Sequence, residues 1–394
     1  MKKHLFIFLI SLIVLSFFSG CSDDPSSTGS GLLPDGDLIY TDIFDTDSMY
    51  VSITSSTYND SIDLSNANKL LIGKTSFAKA TALVRFYPVI ADSISSQLLK
   101  DSIIVRNCWV KILPSYKLGE TNGTFNFNLY RIKQSWSSTD INNSNYTSLP
   151  VDKSNDVSYN KVITDSLITF NIENSLALKW LKYNVDSTSG ENYGVMFSPT
   201  EETNKIIGIP GLNVYTDYSD FAVYIEVEKI GKYIDTVMAY TTEDLHAVEV
   251  TAPISSNNNL FLIGGNPYRS KIHFDLSGLP KNIVINKAVL SVTRDESESY
   301  IGTPASDTIF AIVLDDSTTN KINAYYNIGY LINNNNVYSG DITAFVQRWV
   351  DGISNQGIRL NLSNETNTVN KVAIISEKAS TSKPKIKIYY TKQR

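Results

Sequence analysis

Apolar and polar positions alternate along this chain at two different periods. At the C-terminal end Ile386, Ile388 and Tyr390 alternate with Lys385, Lys387 and Tyr389, the period-two pattern of a half-buried strand. Pro384 stands at its mouth, where a missing N–H costs little. Upstream, Ile342, Phe345, Val346 and Trp349 fall at steps of three, one and three. That spacing predicts a short helix, opened by Asp341 as its cap and ended near Gly352, with Trp349 on its apolar stripe. Most other apolar runs are five to seven residues long and are separated by Asn, Asp, Gly and Ser, the rhythm of an all-β sandwich.

The same order of features occurs twice. Phe170 to Trp180 is a second helical stripe, followed by Gly194-Val-Met-Phe and the alternating Phe221 to Glu228, as Asp341 to Trp349 is followed by Gly357-Ile-Arg-Leu and the last strand. Each copy begins alike, with Leu70-Leu-Ile-Gly73 before Ala82 to Phe86, and Phe261-Leu-Ile-Gly264 before Lys271 to Asp275. Asn107 to Ile112 then matches Lys287 to Val292, across a longer gap in the first copy. A period near 190 residues is too long for a solenoid, whose units run to roughly 20–50 residues. The expectation is two tandem jelly-roll-like β-sandwich domains, each with one short helix. Residues 38–230 form the first, with Met49 to Ile53 as its opening strand and 137–160 as a long polar loop or hairpin, and residues 231–394 form the second. Trp180 and Trp349 are expected in equivalent core positions.

The start of the chain carries different information. Met1-Lys-Lys-His, an apolar run from Leu5 to Phe18 and Ser19-Gly-Cys21 read as a lipoprotein signal peptide over 1–20, too short to span a bilayer, which needs about 20 apolar residues. Cys21 is then the lipidated first residue of the mature chain. Residues 21–37, rich in Ser, Gly, Pro and Asp, make a flexible tether. Ser22-Asp-Asp24 resembles a surface-export signal, so an outer-membrane protein facing the exterior is expected. Losing the signal moves the net charge from −6 to −8, and no cluster of Lys and Arg favours nucleic acid. Cys108 is the one remaining thiol, within an apolar strand, so no intrachain disulfide forms.

Four pieces of the second copy, in order, carry a family resemblance: Ser270 to Pro280, Ile285 to Val292, Asp341-Ile-Thr with Trp349, and Ser376 to Pro384. They resemble the DNRLRE-type domains, β-sandwich modules of bacterial surface proteins related to carbohydrate-binding modules. In the first copy Tyr130 to Asn143 is similar to that family's tryptophan–serine motif. The resemblance implies a β-sandwich and a binding role; the sugar or protein bound varies within such a family.

Catalytic chemistry is sparse. The mature chain has two histidines, His246 and His273, in no metal-ligand spacing, and His273 reads as an outward or hydrogen-bonded strand residue. Asp315-Asp316 and Glu201-Glu202 read as solvated turns rather than a glycosidase pair. No cofactor is expected; a structural Ca²⁺ would suit Asp-rich turns, with no residues assigned to it. Tyrosine, by contrast, is abundant, 23 against 16 phenylalanines, and offers a ring face to a sugar together with a hydroxyl. The ligand-binding candidates are Tyr325, Tyr326, Tyr330 and Tyr338 in the second copy and Tyr116, Trp136 and Tyr146 in the first. The functional expectation is a non-enzymatic surface lipoprotein that binds extracellular polysaccharide or a surface protein as an adhesin. The alternatives are a scaffold or spacer of a surface assembly, or an accessory to a polysaccharide-degrading enzyme.

Overall fold

The computed structural model describes residues 39–212, 220–252, 254, 256–305, 308–322 and 328–393. The expected lipidation site Cys21, the tether, Tyr325 and Tyr326 lie outside the described residues. Among the described residues the fold is mostly β, with three short helices and two twelve-stranded sheets in a barrel- or sandwich-like arrangement, each around its own apolar core.

Two strands open the chain, β1 (Ile39–Asp45) and β2 (Ile53–Asn59). The first sheet follows as β3 (Lys69–Lys74), β4 (Ala78–Pro88), helix α1 (Asp92–Leu98), β5 (Ile103–Ile112), β6 (Tyr116–Gly119), β7 (Phe127–Ile132), β8 (Val151–Asp152), β9 (Ser158–Ile163) and β10 (Ile168–Ile172). It continues through helix α2 (Asn174–Val185) to β11 (Val195–Pro199), β12 (Lys205–Pro210), β13 (Phe221–Lys229) and β14 (Tyr233–Val250). The second sheet contains β15 (Asn259–Ile263), β16 (Tyr268–Phe274), β17 (Ile283–Tyr300), β18 (Thr308–Asp316), β19 (Lys321–Ile322), β20 (Gly329–Asn334) and β21 (Val337–Asp341). Helix α3 (Thr343–Val350) and β22 (Ile358–Leu362), β23 (Lys371–Ile375) and β24 (Lys385–Gln393) complete it.

Local patterns set the elements. Ile386, Ile388 and Tyr390 of β24 are buried, as the alternation requires, and the Asp341 carboxylate accepts the Thr343 N–H at 2.8 Å to open α3. Helix α1 is the third helix, which the sequence reading lacks. Its only buried residues are Ile94 and Leu98, an i, i+4 pair in a serine-rich segment too short for a periodic signal. The polar segment after β7 folds over the outside of the first sheet. Its Trp136, Tyr146 and Leu149 pack on Leu83, Met196, Leu245 and Ala247 in a satellite cluster.

The opening strands do not belong where the sequence puts them. β14 is one long strand whose first half pairs with β13 and whose second half pairs with β4, running from Ala239 opposite Pro88 to Val250 opposite Ala78. In the second sheet the corresponding partners, β24 and β16, pair instead with β1 and β2. The segment that leads into β15 therefore completes the first sheet, and the segment that leads into β3 completes the second. Each repeat has handed its leading strand to the other.

The two sheets meet at an apolar seam of Leu71, Phe77, Leu118, Ile206 and Val248 with Ile263 and Val369. Tyr116 lies fully buried at its centre. Its hydroxyl donates to the Asn370 Oδ1 at 2.8 Å and accepts the Val369 N–H at 3.3 Å, while the Gly302 N–H donates to the same Oδ1 at 2.8 Å. A side chain at Gly302 would collide with the Tyr116 ring. Lys117 and Thr303 exchange both backbone bonds, at 2.9 and 2.7 Å.

Candidate functional site

The two sheets differ at one end of their cores, and the difference follows from a connection length. Between β4 and β5 the first repeat carries α1, whose Ile94 and Leu98 close the core; there Trp180 is 1% exposed and packs on Phe86 with ring centroids 5.6 Å apart. Between β16 and β17 the second repeat has only residues 275–282, with no helix. That loop is held by Ser277 N–H donating to the Asp275 carboxylate at 3.0 Å and Leu279 N–H donating to the Leu276 carbonyl at 3.0 Å. The Ser277 N–H and hydroxyl hold the Asp275 carboxyl below its usual range, with the neighbouring His273 adding to the effect.

With nothing in the place of α1, the core end stays open as a cleft of about 610 Å³. Leu276, Leu279, Trp349 and Val350 bring apolar surface to it, and His273, Asp275, Asp351 and Asn355 bring polar groups. Trp349, expected in the core, is half-buried, and its indole N–H has no acceptor among the described residues. Asn355 fixes the far wall. Its Nδ2 donates to the Phe274 carbonyl at 2.9 Å and its Oδ1 accepts the Gly357 N–H at 3.0 Å. Gly357 has φ +92°, and a Cβ there would stand 2.8 Å from the Ile272 carbonyl oxygen, so the wall approaches β16 this closely only with glycine.

Two further clefts lie along β2. One of about 370 Å³ shares His273 and Asn355 with the first cleft and is also lined by Thr54, Ser56, Lys271, Ser317 and Gln356. Thr54 lies opposite His273 and Ser56 opposite Lys271, and antiparallel partners project to the same side of a sheet. The other, about 230 Å³, lies among Ser55, Thr57, Asn257, Phe261 and Glu377, where the Ser55 hydroxyl donates to the Glu377 carboxylate. These clefts exist only because β2, from the far end of the sequence, is the edge partner of β16.

Of the tyrosines and tryptophan expected at a ligand, the described ones are mostly interior. Tyr338 is fully buried in the second core, and Tyr116 is locked in the seam. Trp136 is buried with its indole N–H donating to the Tyr193 carbonyl at 2.7 Å, and Tyr146 is buried with its hydroxyl donating to Glu249. A ring with both faces packed has none left for a ligand, so these four are structural. Tyr330 alone of the described candidates is on the surface, 56% exposed, edge-on to Phe310 at 5.3 Å. It lies on β20 and lines none of the three clefts. The residues the sequence reading passed over are Trp349 and His273, and the available signal was the shorter gap before β17.

Elsewhere the ionisable groups serve structure. Cys108 is buried and its thiol is pushed up to about 12 by burial. On β14, burial pushes the Asp244 carboxyl up to about 7 and the His246 imidazole down to about 3, so both favour their neutral forms. Glu201 pairs with Lys74, and Asp316 accepts the N–H groups of Thr318 and Thr319 in a turn. Among the described residues no group of three or more His, Cys, Asp or Glu could hold a metal ion, and no helix is long and apolar enough to cross a membrane. No protein-family model matches the chain, and no curated protein is significantly similar to it.

Proposed function

We propose that this chain is a lipid-anchored protein of the outer membrane, facing the exterior, whose two jelly-roll-like β-sandwich units present a binding site for extracellular polysaccharide. The observation that carries this reading is the cleft at Trp349. A partly buried indole that lines the cleft beside His273, Asp275, Ser277 and Asn355 combines a flat apolar face with hydrogen-bonding groups, the pairing that a sugar ring presents in return. The resemblance of Ser270 to Pro280 to carbohydrate-binding-type modules falls on the strand and loop that form this cleft. Because β1 enters the second sheet, a tether from Cys21 leads first to the unit that bears the cleft. The test is a glycan array on the soluble form beginning at Ser22, with Trp349→Ala as the control that loses any specific hit.

A scaffold role is the second reading, favoured by the seam. The buried hydrogen bonds of Tyr116 and Asn370 and the more exposed Lys117–Thr303 bridge join the two sheets, as a spacer that must not bend requires. A chain that binds no glycan, while its removal displaces another protein from the cell surface, supports this reading instead.

A further inference from the structure

The cleft between β2 and β16 is unlike the rest of the molecule in charge. The protein is acidic overall, with 40 Asp and Glu against 34 Lys and Arg, yet no carboxylate lines this cleft. The side chains that project into it are hydroxyls (Thr54, Ser56, Ser317), amides (Asn355, Gln356), the Lys271 ammonium and the His273 imidazole. Lys271 donates to the Ser317 carbonyl at 2.6 Å and to the Asn320 Oδ1 at 2.9 Å, both neutral, and among the described residues no carboxylate pairs with it. Lys271 and His273 project from the same side of β16, about 7 Å apart along the strand. Ser56 and Thr54 stand opposite them, at about 5 Å between Cβ atoms. Four hydrogen-bonding side chains thus cover an area close to that of one sugar ring.

The strand beyond adds charge of the same sign. Arg359 on β22 lies opposite Lys271 on the same side of the sheet, is only 8% exposed, and has an Nε with no hydrogen-bond partner. The nearby carboxylates, Asp60 and Glu365, are both engaged by Arg269. Arg269 thus takes up both carboxylates, and among the described residues Lys271 and Arg359, the other two cations on this face of β16 and β22, have no ion-pair partner. An anion entering it would meet a positive field with partly excluded water, where charge-assisted hydrogen bonds are strong.

We propose that this cleft is the subsite for the anionic substituent of an acidic polysaccharide, a carboxylate or a sulfate, with Lys271 as the charged contact and Thr54, Ser56 and His273 as hydrogen-bonding partners. The proposal rests on the polysaccharide-binding reading and narrows it, since the cleft adjoins the Trp349 cleft through His273 and Asn355. A sugar residue stacked on Trp349 would place its neighbour's acidic group over Lys271.

The test is titration calorimetry of the soluble chain from Ser22 against polygalacturonate, dextran sulfate and dextran at physiological salt. At least one of the two acidic polymers should bind ten-fold or more tightly than dextran, and which one binds tells carboxylate from sulfate. Lys271→Gln should weaken that binding ten-fold or more, Lys271→Arg should largely retain it, and His273→Gln should weaken it less. Should Lys271→Gln unfold, through loss of its bonds to Ser317 and Asn320, Ser56→Ala and Thr54→Val read the same subsite from the other strand and should each weaken binding several-fold. Equal binding of dextran, or acidic-polymer binding unchanged by the folded variants, overturns the subsite while leaving polysaccharide binding in place. If none of the three polymers binds, the subsite is overturned, and an array hit on a neutral glycan that Trp349→Ala removes would show the wider reading still to hold.

Discussion

Ser55 and His246 hold the same place in the two sheets: Ser55 lies opposite Ile272 on β16, His246 opposite Ala82 on β4, and about 190 residues of chain separate them. The correspondence extends along the strand, with Asn59 opposite Tyr268 where Val250 is opposite Ala78. Each sheet is thus completed by the strand that precedes the other. The exchange ties the halves together covalently and through the seam, and the second sheet is assembled from both ends of the chain, residues 39–59 and 259–393, around the contiguous first sheet.

The first prediction follows from that exchange. A chain beginning at residue 60 keeps every strand of the first sheet and loses β1 and β2 from the second, exposing β24 and the edge of β16. Calorimetry should show the second sheet's unfolding at markedly lower temperature with the first sheet's little changed, and a peptide of residues 39–59 added in trans should restore part of the loss. Within the full chain, Phe44→Ala removes a buried ring from the second core and should cost about 3 kcal/mol or more in urea unfolding.

Trp180 and Trp349 supply a second. Burial predicts that Trp180→Ala costs roughly 3–5 kcal/mol, because the ring is enclosed by the first core. Trp349→Ala should cost clearly less, since part of that ring already faces the cleft. Equal losses in chemical denaturation would mean that Trp349 is a core residue after all.

The seam gives a third. Tyr116→Phe keeps the ring and deletes the hydroxyl, leaving the Val369 N–H without its partner and the Asn370 carbonyl oxygen with Gly302 alone. The expected loss is about 1–3 kcal/mol, the cost of stranding buried polar groups, read as an earlier unfolding midpoint.

Asp244 and His246 make a prediction about pH. The Asp244 carboxyl titrates in the fold near 7, above its unfolded value, so the folded state holds the extra proton and stability from this group falls as pH rises from about 4 through 7. The His246 imidazole titrates in the fold near 3, below its unfolded value, so the unfolded state holds the extra proton and stability from this group falls as pH drops below about 6.5. Between these limits the two slopes oppose. Asp244→Asn should therefore gain stability relative to the parent as pH rises from 4 to 7, by a few kcal/mol at most. A difference that stays flat across this range would show that Asp244 is ionised in the fold.

What the sequence made legible, and what it hid, has a physical division. The alternation in β24 and the stripe of α3 are local, so Ile388 and Phe345 could be placed by spacing alone. The like order of segments in the two halves was equally visible. Its exchange was not, because β1–β2 and β14 lead into like strands at like distances, and an alternating strand fits the edge of either copy. Four of the binding candidates, Tyr116, Tyr338, Trp136 and Tyr146, are packed in the interior for a related reason. Tyrosine is as suited to a packed sheet as to a ligand, and Tyr116 and Tyr338 differ from Tyr330 only in what other segments bring against them. Trp349 could be read as exposed only by noticing that the loop after β16 is too short to carry the helix that covers Trp180.

Binding at the Trp349 cleft is the central claim, and one comparison tests it most directly. The soluble chain from Ser22 and its Trp349→Ala variant would be titrated side by side with a polysaccharide found on the array, after circular dichroism has shown the same fold in both. The account predicts that the variant stays folded and binds at least ten-fold more weakly. Unchanged affinity in a folded Trp349→Ala chain would contradict it.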